Sequence, residues 1–215
     1  MNPYYLILKL GSAATAAHVQ QWVDAATAAR GAVMAAASAL DVKILEPGTR
    51  HSGVILIRFA FVEDRASFWA SEAAMALSKA DPDLTAIACA GLPYEGWPGN
   101  FVPTIATVDV PDAGAPRTYM LIEGTGTDQD RMDRYRDMIL PMMRERGAYY
   151  TVFELGGDVS VWAGAWDEGI FAISRWPSRG HAEGFWYSDR YQKEAVPLRT
   201  GVGRFDVQIV EGLAG

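Results

Sequence analysis

The heptapeptide Phe185-Trp186-Tyr187-Ser188-Asp189-Arg190-Tyr191 is preceded, 117 residues earlier, by a degenerate copy of its first five positions, Phe68-Trp69-Ala70-Ser71-Glu72. Without a gap, the same register sets Arg58-Phe59 against Arg175-Trp176, so the repeat spans a strand and the helix after it. A second echo, Tyr5-Leu6-Ile7-Leu8-Lys9 against Tyr119-Met120-Leu121-Ile122-Glu123, runs at an offset of 114. A chain of 215 residues with such an internal echo divides into two similar units of roughly 100 residues each. The expected division is 1–110, a linker 111–116 reading Pro111-Asp-Ala-Gly-Ala-Pro116, and 117–215.

Composition removes several function classes. Half of the residues are apolar, enough for a sizeable core, and the net charge is −7 with no basic stripe to neutralise phosphates. Neither nucleic acid nor an anionic membrane is expected as a partner. One cysteine, Cys89, and three scattered histidines, His18, His51 and His181, give no disulfide and no metal-ligand spacing. The short apolar run at the amino terminus is interrupted by Lys9 and reads as a first strand rather than a leader, which points to a cytoplasmic protein.

Periodicity gives the element order. Tyr4 to Leu10 reads as a buried strand, and Val19, Trp22, Val23 and Ala26 mark the apolar stripe of a helix from about Thr15 to Arg30, stopped by Gly31. A weak strand within 32–46 ends before Pro47-Gly48, and Gly53 to Phe61 is the clearest strand of this half. A helix capped by Glu63 or Asp64 carries the first Phe-Trp pair to about Lys79. Two stretches compete for the fourth strand: Leu84 to Ala90 is alanine-rich, whereas Thr104 to Val110 alternates, and the alternation selects the later one. The intervening 91–100, with Tyr94 and Trp97, is then an inserted loop.

The second half repeats the order: strand 118–123, a helix capped by Thr127 or Asp128 with Pro141 inside and Gly147 as its stop, and strands 149–155, 158–164 and 169–176. Gly156-Gly157 makes the turn between the first two of those strands. A helix capped by Ser178 should end before Pro197, and strand 205–210 closes the sheet. Pro141 predicts a bend. The order β-α-β-β-α-β, twice, is an α+β class built from two ferredoxin-like repeats. Each sheet has helices on one face only, so packing sheet against sheet, as a pseudo-dimeric α/β barrel, covers the other.

The runs Arg134-Tyr135-Arg136, Leu140-Pro141, Arg146-Gly147-Ala148-Tyr149, Val161-Trp162-Ala163-Gly164-Ala165-Trp166, Trp176-Pro177-Ser178, Trp186-Tyr187-Ser188, Tyr191 and Arg199 resemble the domain of unknown function numbered 1330, of the dimeric α/β-barrel superfamily. The resemblance covers nearly all of 117–213; the first half shares only strand order and the Phe-Trp echo. It implies the ferredoxin-like barrel but no activity, since relatives include cofactor-independent monooxygenases, isomerases and cyclases, and haem-binding enzymes. Arg175 stands where the family pattern has an acidic residue before the aromatic-Pro-Ser triplet.

Candidate site residues follow from the expected sheet. If the first and third strands of each half are parallel neighbours, their carboxyl ends adjoin, setting Glu123 beside Arg175 and Lys9 beside Arg58. The competing reading of these groups is a structural ion pair and a solvated lysine. Phe68, Trp69, Phe185 and Trp186 recur between halves as core positions should. Tyr187, Tyr191 and Arg199 do not recur, since Ala70 and Ala74 face the two tyrosines, and this one-sidedness suits a pocket. His181, in the first turn of its helix, could serve as a base.

The function expected is a small-molecule-binding barrel, with a cofactor-free enzyme of proton-transfer, isomerase, lyase or monooxygenase type as one form. In that form His181 or Glu123 moves a proton, Arg175 holds developing negative charge, Tyr119 and Tyr191 orient a small apolar or aromatic substrate, and Tyr187, Arg199, Arg58 and Lys9 complete the binding set. No cofactor and no metal are expected, and a homodimer of pseudo-dimers is left open. The alternative is a non-catalytic binding or structural module whose barrel is filled by side chains.

Overall fold

The computed structural model describes residues 3–46, 53–92, 116–155, 159–166 and 169–213. The first half contributes β1 (Tyr4–Leu10), α1 (Ala16–Ala28), β2 (Ala32–Ala37), β3 (Lys43–Glu46), β4 (Gly53–Phe59), α2 (Val62–Trp69), α3 (Glu72–Ala80) and β5 (Thr85–Ala90). The second contributes β6 (Thr118–Gly124), α4 (Gln129–Arg144), β7 (Tyr149–Leu155), β8 (Ser160–Ala163), β9 (Ile170–Trp176), α5 (Arg179–Trp186), a π-helical turn (Tyr191–Ala195), α6 (Val196–Arg199) and β10 (Phe205–Glu211). The two sheets have the orders β2-β4-β1-β5-β8 and β3-β10-β6-β9-β7, with every pairing antiparallel.

Each sheet therefore ends in a strand from the other half. β3 pairs with β10, β8 pairs with β5, and a bridge from Ala35 to Gly212 adds a further tie between the halves. The strand-to-strand exchange crosses between repeats, so it leaves no trace in local periodicity.

The central strands read as continuous apolar runs because both of their faces are buried. Tyr5, Ile7, Tyr119, Leu121, Leu56 and Ile173 point into the layer between the sheets. The alternate residues face helices: Leu6, Leu8, Ile55 and Ile57 in the first half, Met120 and Ala172 in the second.

β5 corrects the expected fourth strand: Thr85–Ala90 pairs along β1 from Lys9 to Tyr4, and residues 104–110, like the 94 and 97 positions, lie outside the described residues. Its alanines outweigh strand propensity because Ala86 and Ala88 lie under the helix layer, where small side chains admit bulky neighbours, while Ile87 and Cys89 fill the other face. Most of the expected linker also lies outside the described residues.

Caps follow the sequence in part. Thr15 and Asp128 cap α1 and α4 by accepting from His18 N at 3.3 Å and Arg131 N at 3.0 Å. Glu63 and Asp64 sit instead in the first turn of α2, and the helix breaks at Ala70 before Ser71 caps α3. Ser178 occupies the N-cap position of α5, but its hydroxyl bonds the His181 ring rather than the backbone. The left-handed residue after α1 is Arg30 (φ 64°) rather than Gly31, whereas Gly147 (φ 69°) follows α4 as expected. Pro141 falls in the last turn of α4. The helix over 196–199 runs through Pro197: the preceding turn is π-helical, and Pro197 enters at the start of α6, where a missing N–H costs least.

Candidate ligand cavity and the predicted site residues

The layer between the sheets is packed with side chains and closed at one end by an ion pair. Lys9 Nζ lies 2.6 Å from Glu123 Oε2, with both side chains almost fully buried. Glu123 is thus not beside Arg175, nor Lys9 beside Arg58. β6 and β9 run antiparallel, so Glu123 faces Phe171 while Tyr119 faces Arg175; in the first half Lys9 faces Val54 and Tyr5 faces Arg58. The expected pairings fail because central neighbours in this topology run in opposite directions.

The arginines gather at the other end of the barrel. Arg175 donates to the Tyr149 hydroxyl, and its guanidinium lies 5.6 Å from that ring's centroid. Burial pushes the Tyr119 phenol above its usual pKa, opposed by the charges of Arg175 and Arg58. Burial works to lower the pKa of Arg175, but the two tyrosines outweigh it and the guanidinium stays charged.

His181 is half-buried, with Nδ1 2.8 Å from Ser178 Oγ. Tyr187 is 57% exposed, with the Lys43 ammonium 5.2 Å above its ring; Lys43 in turn pairs with Glu183 at 2.7 Å. The nine predicted site residues therefore fall into four places, and of the nine Tyr191 and Arg199 line the cavity between the second sheet and its helices.

That cavity, of about 320 Å³, lies between the helix-facing side of the second sheet and the helices above it. Met120, Ile122, Ala172 and Val207 form its floor; Met132, Ile139 and Met143 of α4 form one wall; Phe185, Trp186 and Tyr191 form another. Its composition, apolar walls around a few polar groups, is that of a small-molecule site. The exposed Gln129 and Gly169 mark the mouth, where Arg136 is paired with Asp133 at 2.9 Å.

Two phenols and a guanidinium converge at one place. The Tyr135 and Tyr191 hydroxyls are 2.9 Å apart, and burial raises both phenols above their usual pKa, which keeps them neutral. Arg199 is 6% exposed and lies 5.8, 5.5 and 5.1 Å from the ring centroids of Tyr135, Trp186 and Phe205. Its Nη2 donates to Glu46 Oε2 at 2.5 Å, so the last residue of β3, from the first half, positions an arginine of the second. Burial works to lower the Arg199 pKa, and the Glu46 hydrogen bond with the neighbouring tyrosines more than offsets it. Ser174, fully buried on the cavity floor, accepts from Trp176 Nε1 at 2.9 Å.

Sequence reasoning did not single out Tyr135 or Ser174. A signal existed: counting from the caps Thr15 and Asp128 sets Tyr135 against Trp22, and the 117-residue register sets Ser174 against Ile57. Among the described residues, no group of three or more His, Cys, Asp or Glu could hold a metal, and no helix is long and apolar enough to cross a membrane.

Comparison with known proteins identifies the fold. No curated protein matches the chain. Among solved structures, an anthrone oxidase-like protein is similar over 99% of this chain and 91% of its own, at 13% identity and a TM-score of 0.52. A dye-decolorizing protein from V. cholerae is similar over 98% and 93%, at 9% identity and a TM-score of 0.52. These neighbours are dimeric α/β-barrel proteins, and both span the two halves of this chain together. The family match falls on the half that holds the cavity: residues 117–213 match the model of the Domain of unknown function (DUF1330), within a tandem ferredoxin-like barrel.

Proposed function

We propose that this protein binds a small, largely apolar molecule, flat enough to lie between sheet and helices, in the cavity of its second half. One observation carries the reading: the second half keeps an apolar chamber ending in a buried polar cluster, where Trp22, Ile55 and Phe59 put bulky buried side chains in the corresponding layer of the first half. An unfilled chamber of this size forfeits packing energy, and a ligand restores it. His181, Glu123 and Arg175 do not line this chamber, so the proton-transfer roles expected of them are not part of the proposal.

The test uses fluorene as an apolar probe, with tryptophan emission as the readout, since Trp176 and Trp186 line the chamber. Saturable one-to-one quenching is expected. Ala172→Ile, which copies the first-half residue Ile55 onto the floor, should weaken it at least roughly tenfold by removing probe volume. Quenching that never saturates, or that ignores this substitution, would overturn the proposal.

A cofactor-independent enzyme is the second reading, favoured by the buried guanidinium and two neutral phenols at the end of an apolar chamber. There they would stabilise negative charge developing on a carbonyl oxygen. The fold likeness makes anthrone a natural first substrate, its methylene becoming a carbonyl with one dioxygen consumed and one water released. Oxygen uptake no faster than in protein-free buffer would remove this reading and leave the binding proposal standing.

A further inference from the structure

We infer that the ligand of this cavity presents a neutral carbonyl oxygen, as a ketone or quinone does, to a cluster of hydrogen-bond donors; the inference rests on the binding proposal. It comes from counting protons. Tyr135 and Tyr191 together carry two hydroxyl protons, and the 2.9 Å bond between them uses one. Among the described residues no acceptor takes the other. Ser174 Oγ accepts from Trp176, and its own proton likewise has no acceptor among the described residues. Arg199 Nε is buried without a partner. Three donors thus border one chamber in want of acceptors, a costly arrangement when buried unless a ligand supplies them.

The first half has no hydroxyl at these places: Trp22, Ala74 and Ile57 stand where Tyr135, Tyr191 and Ser174 do. Its buried donor there without a partner, Trp22 Nε1, lies among packed apolar side chains, so the hydroxyl cluster is confined to the copy with the chamber. The charge of the ligand follows from Glu46. Its carboxylate already balances Arg199, and Arg136 at the mouth is paired with Asp133 and Asp137. A carboxylate ligand would bring an unbalanced charge into an apolar chamber, whereas a neutral carbonyl accepts from two of the donors through its two lone pairs and brings none.

The experiment compares three tricyclic probes of similar outline, 9-fluorenone, fluorene and fluorene-9-carboxylate, by tryptophan quenching on the intact protein. Fluorenone should bind roughly tenfold or more tighter than fluorene, because only the ketone satisfies the orphaned donors. In the double variant Tyr135→Phe/Tyr191→Phe, which keeps both rings, the ratio of ketone to hydrocarbon affinity should fall to about one. Ser174→Ala should remove part of it. Equal binding of ketone and hydrocarbon, tightest binding of the carboxylate, or a ketone preference that survives the double variant would overturn the inference while the cavity reading stands. Saturable binding of none of the three would overturn both.

Discussion

The helix–sheet layer of the first half and that of the second are built on one plan and filled in opposite ways. In the first, Trp22 is fully buried against Phe68, with ring centroids 6.2 Å apart, and stacks on Trp69 at 6.3 Å. Ile55, Ile57 and Phe59 complete the filling. In the second, Ala172, Ser174 and Trp176 replace those three strand residues, and the indole gives way to a phenol bonded to Tyr191. Phe185 and Trp186 keep the places of Phe68 and Trp69. Conserving the helix anchors while exchanging a few facing residues is thus enough to turn a packed layer into a chamber. The supporting copy keeps the barrel closed, lends Glu46 to Arg199, and leaves the other free to carry an unfilled volume.

The sharpest way to break this contrast is to hollow the filled half. Trp22→Ala should destabilise the protein by about 3–5 kcal/mol in urea denaturation, as large-to-small changes at fully buried sites do. A loss below about 1 kcal/mol would mean that the first half tolerates voids as the second does. The reciprocal change, Ala172→Ile, should shift stability by less than about 1.5 kcal/mol in either direction, because the isoleucine grows into existing space rather than into packed atoms. Strong destabilisation there would mean that the chamber floor cannot accept its counterpart's side chain.

The third prediction concerns pH. Tyr135, Tyr150 and Tyr191 are held above their ordinary pKa by burial, and burial pushes the Cys89 thiol up to about 12. Each keeps its proton in the folded protein at pH values where the unfolded chain has lost it, so stability should fall as pH rises above about 9 for the thiol and about 10 for the phenols. Denaturation midpoints between pH 8 and 11 measure the slope. Cys89→Ala should flatten its lower part and Tyr191→Phe its upper part; a slope unchanged in both would assign the loss to other groups.

How much of this was legible in the sequence depends on whether a feature is local. The Phe-Trp echo and the strand–helix order announced a twofold ferredoxin-like chain because each element carries its own periodicity. Tyr191 and Arg199 stood out because the first copy has no polar group at the equivalent of Tyr191, and the structure places both on the chamber wall. Tyr135 did not stand out, because an aromatic residue occupies the corresponding turn of both helices and reads as core in each. The Glu123–Arg175 pairing failed on strand direction, which composition does not encode. Thr85–Ala90 was passed over because alanine is a poor strand former, although its place under the helices required small residues. The exchange of β3 and β8 between sheets had no local sign at all.

The Lys9–Glu123 pair carries a consequence for assembly. These two residues occupy the same position in the two copies, each in the fifth place of its strand echo, and they meet each other across the barrel. In a symmetric pair of identical chains such a position meets itself, so any charge there faces its like. A single chain containing both copies can write opposite signs at one symmetric place. The pairing of the halves is thereby specified: a second copy docking like against like would bury two carboxylates or two ammonium groups together, and only unlike halves close the barrel without that repulsion.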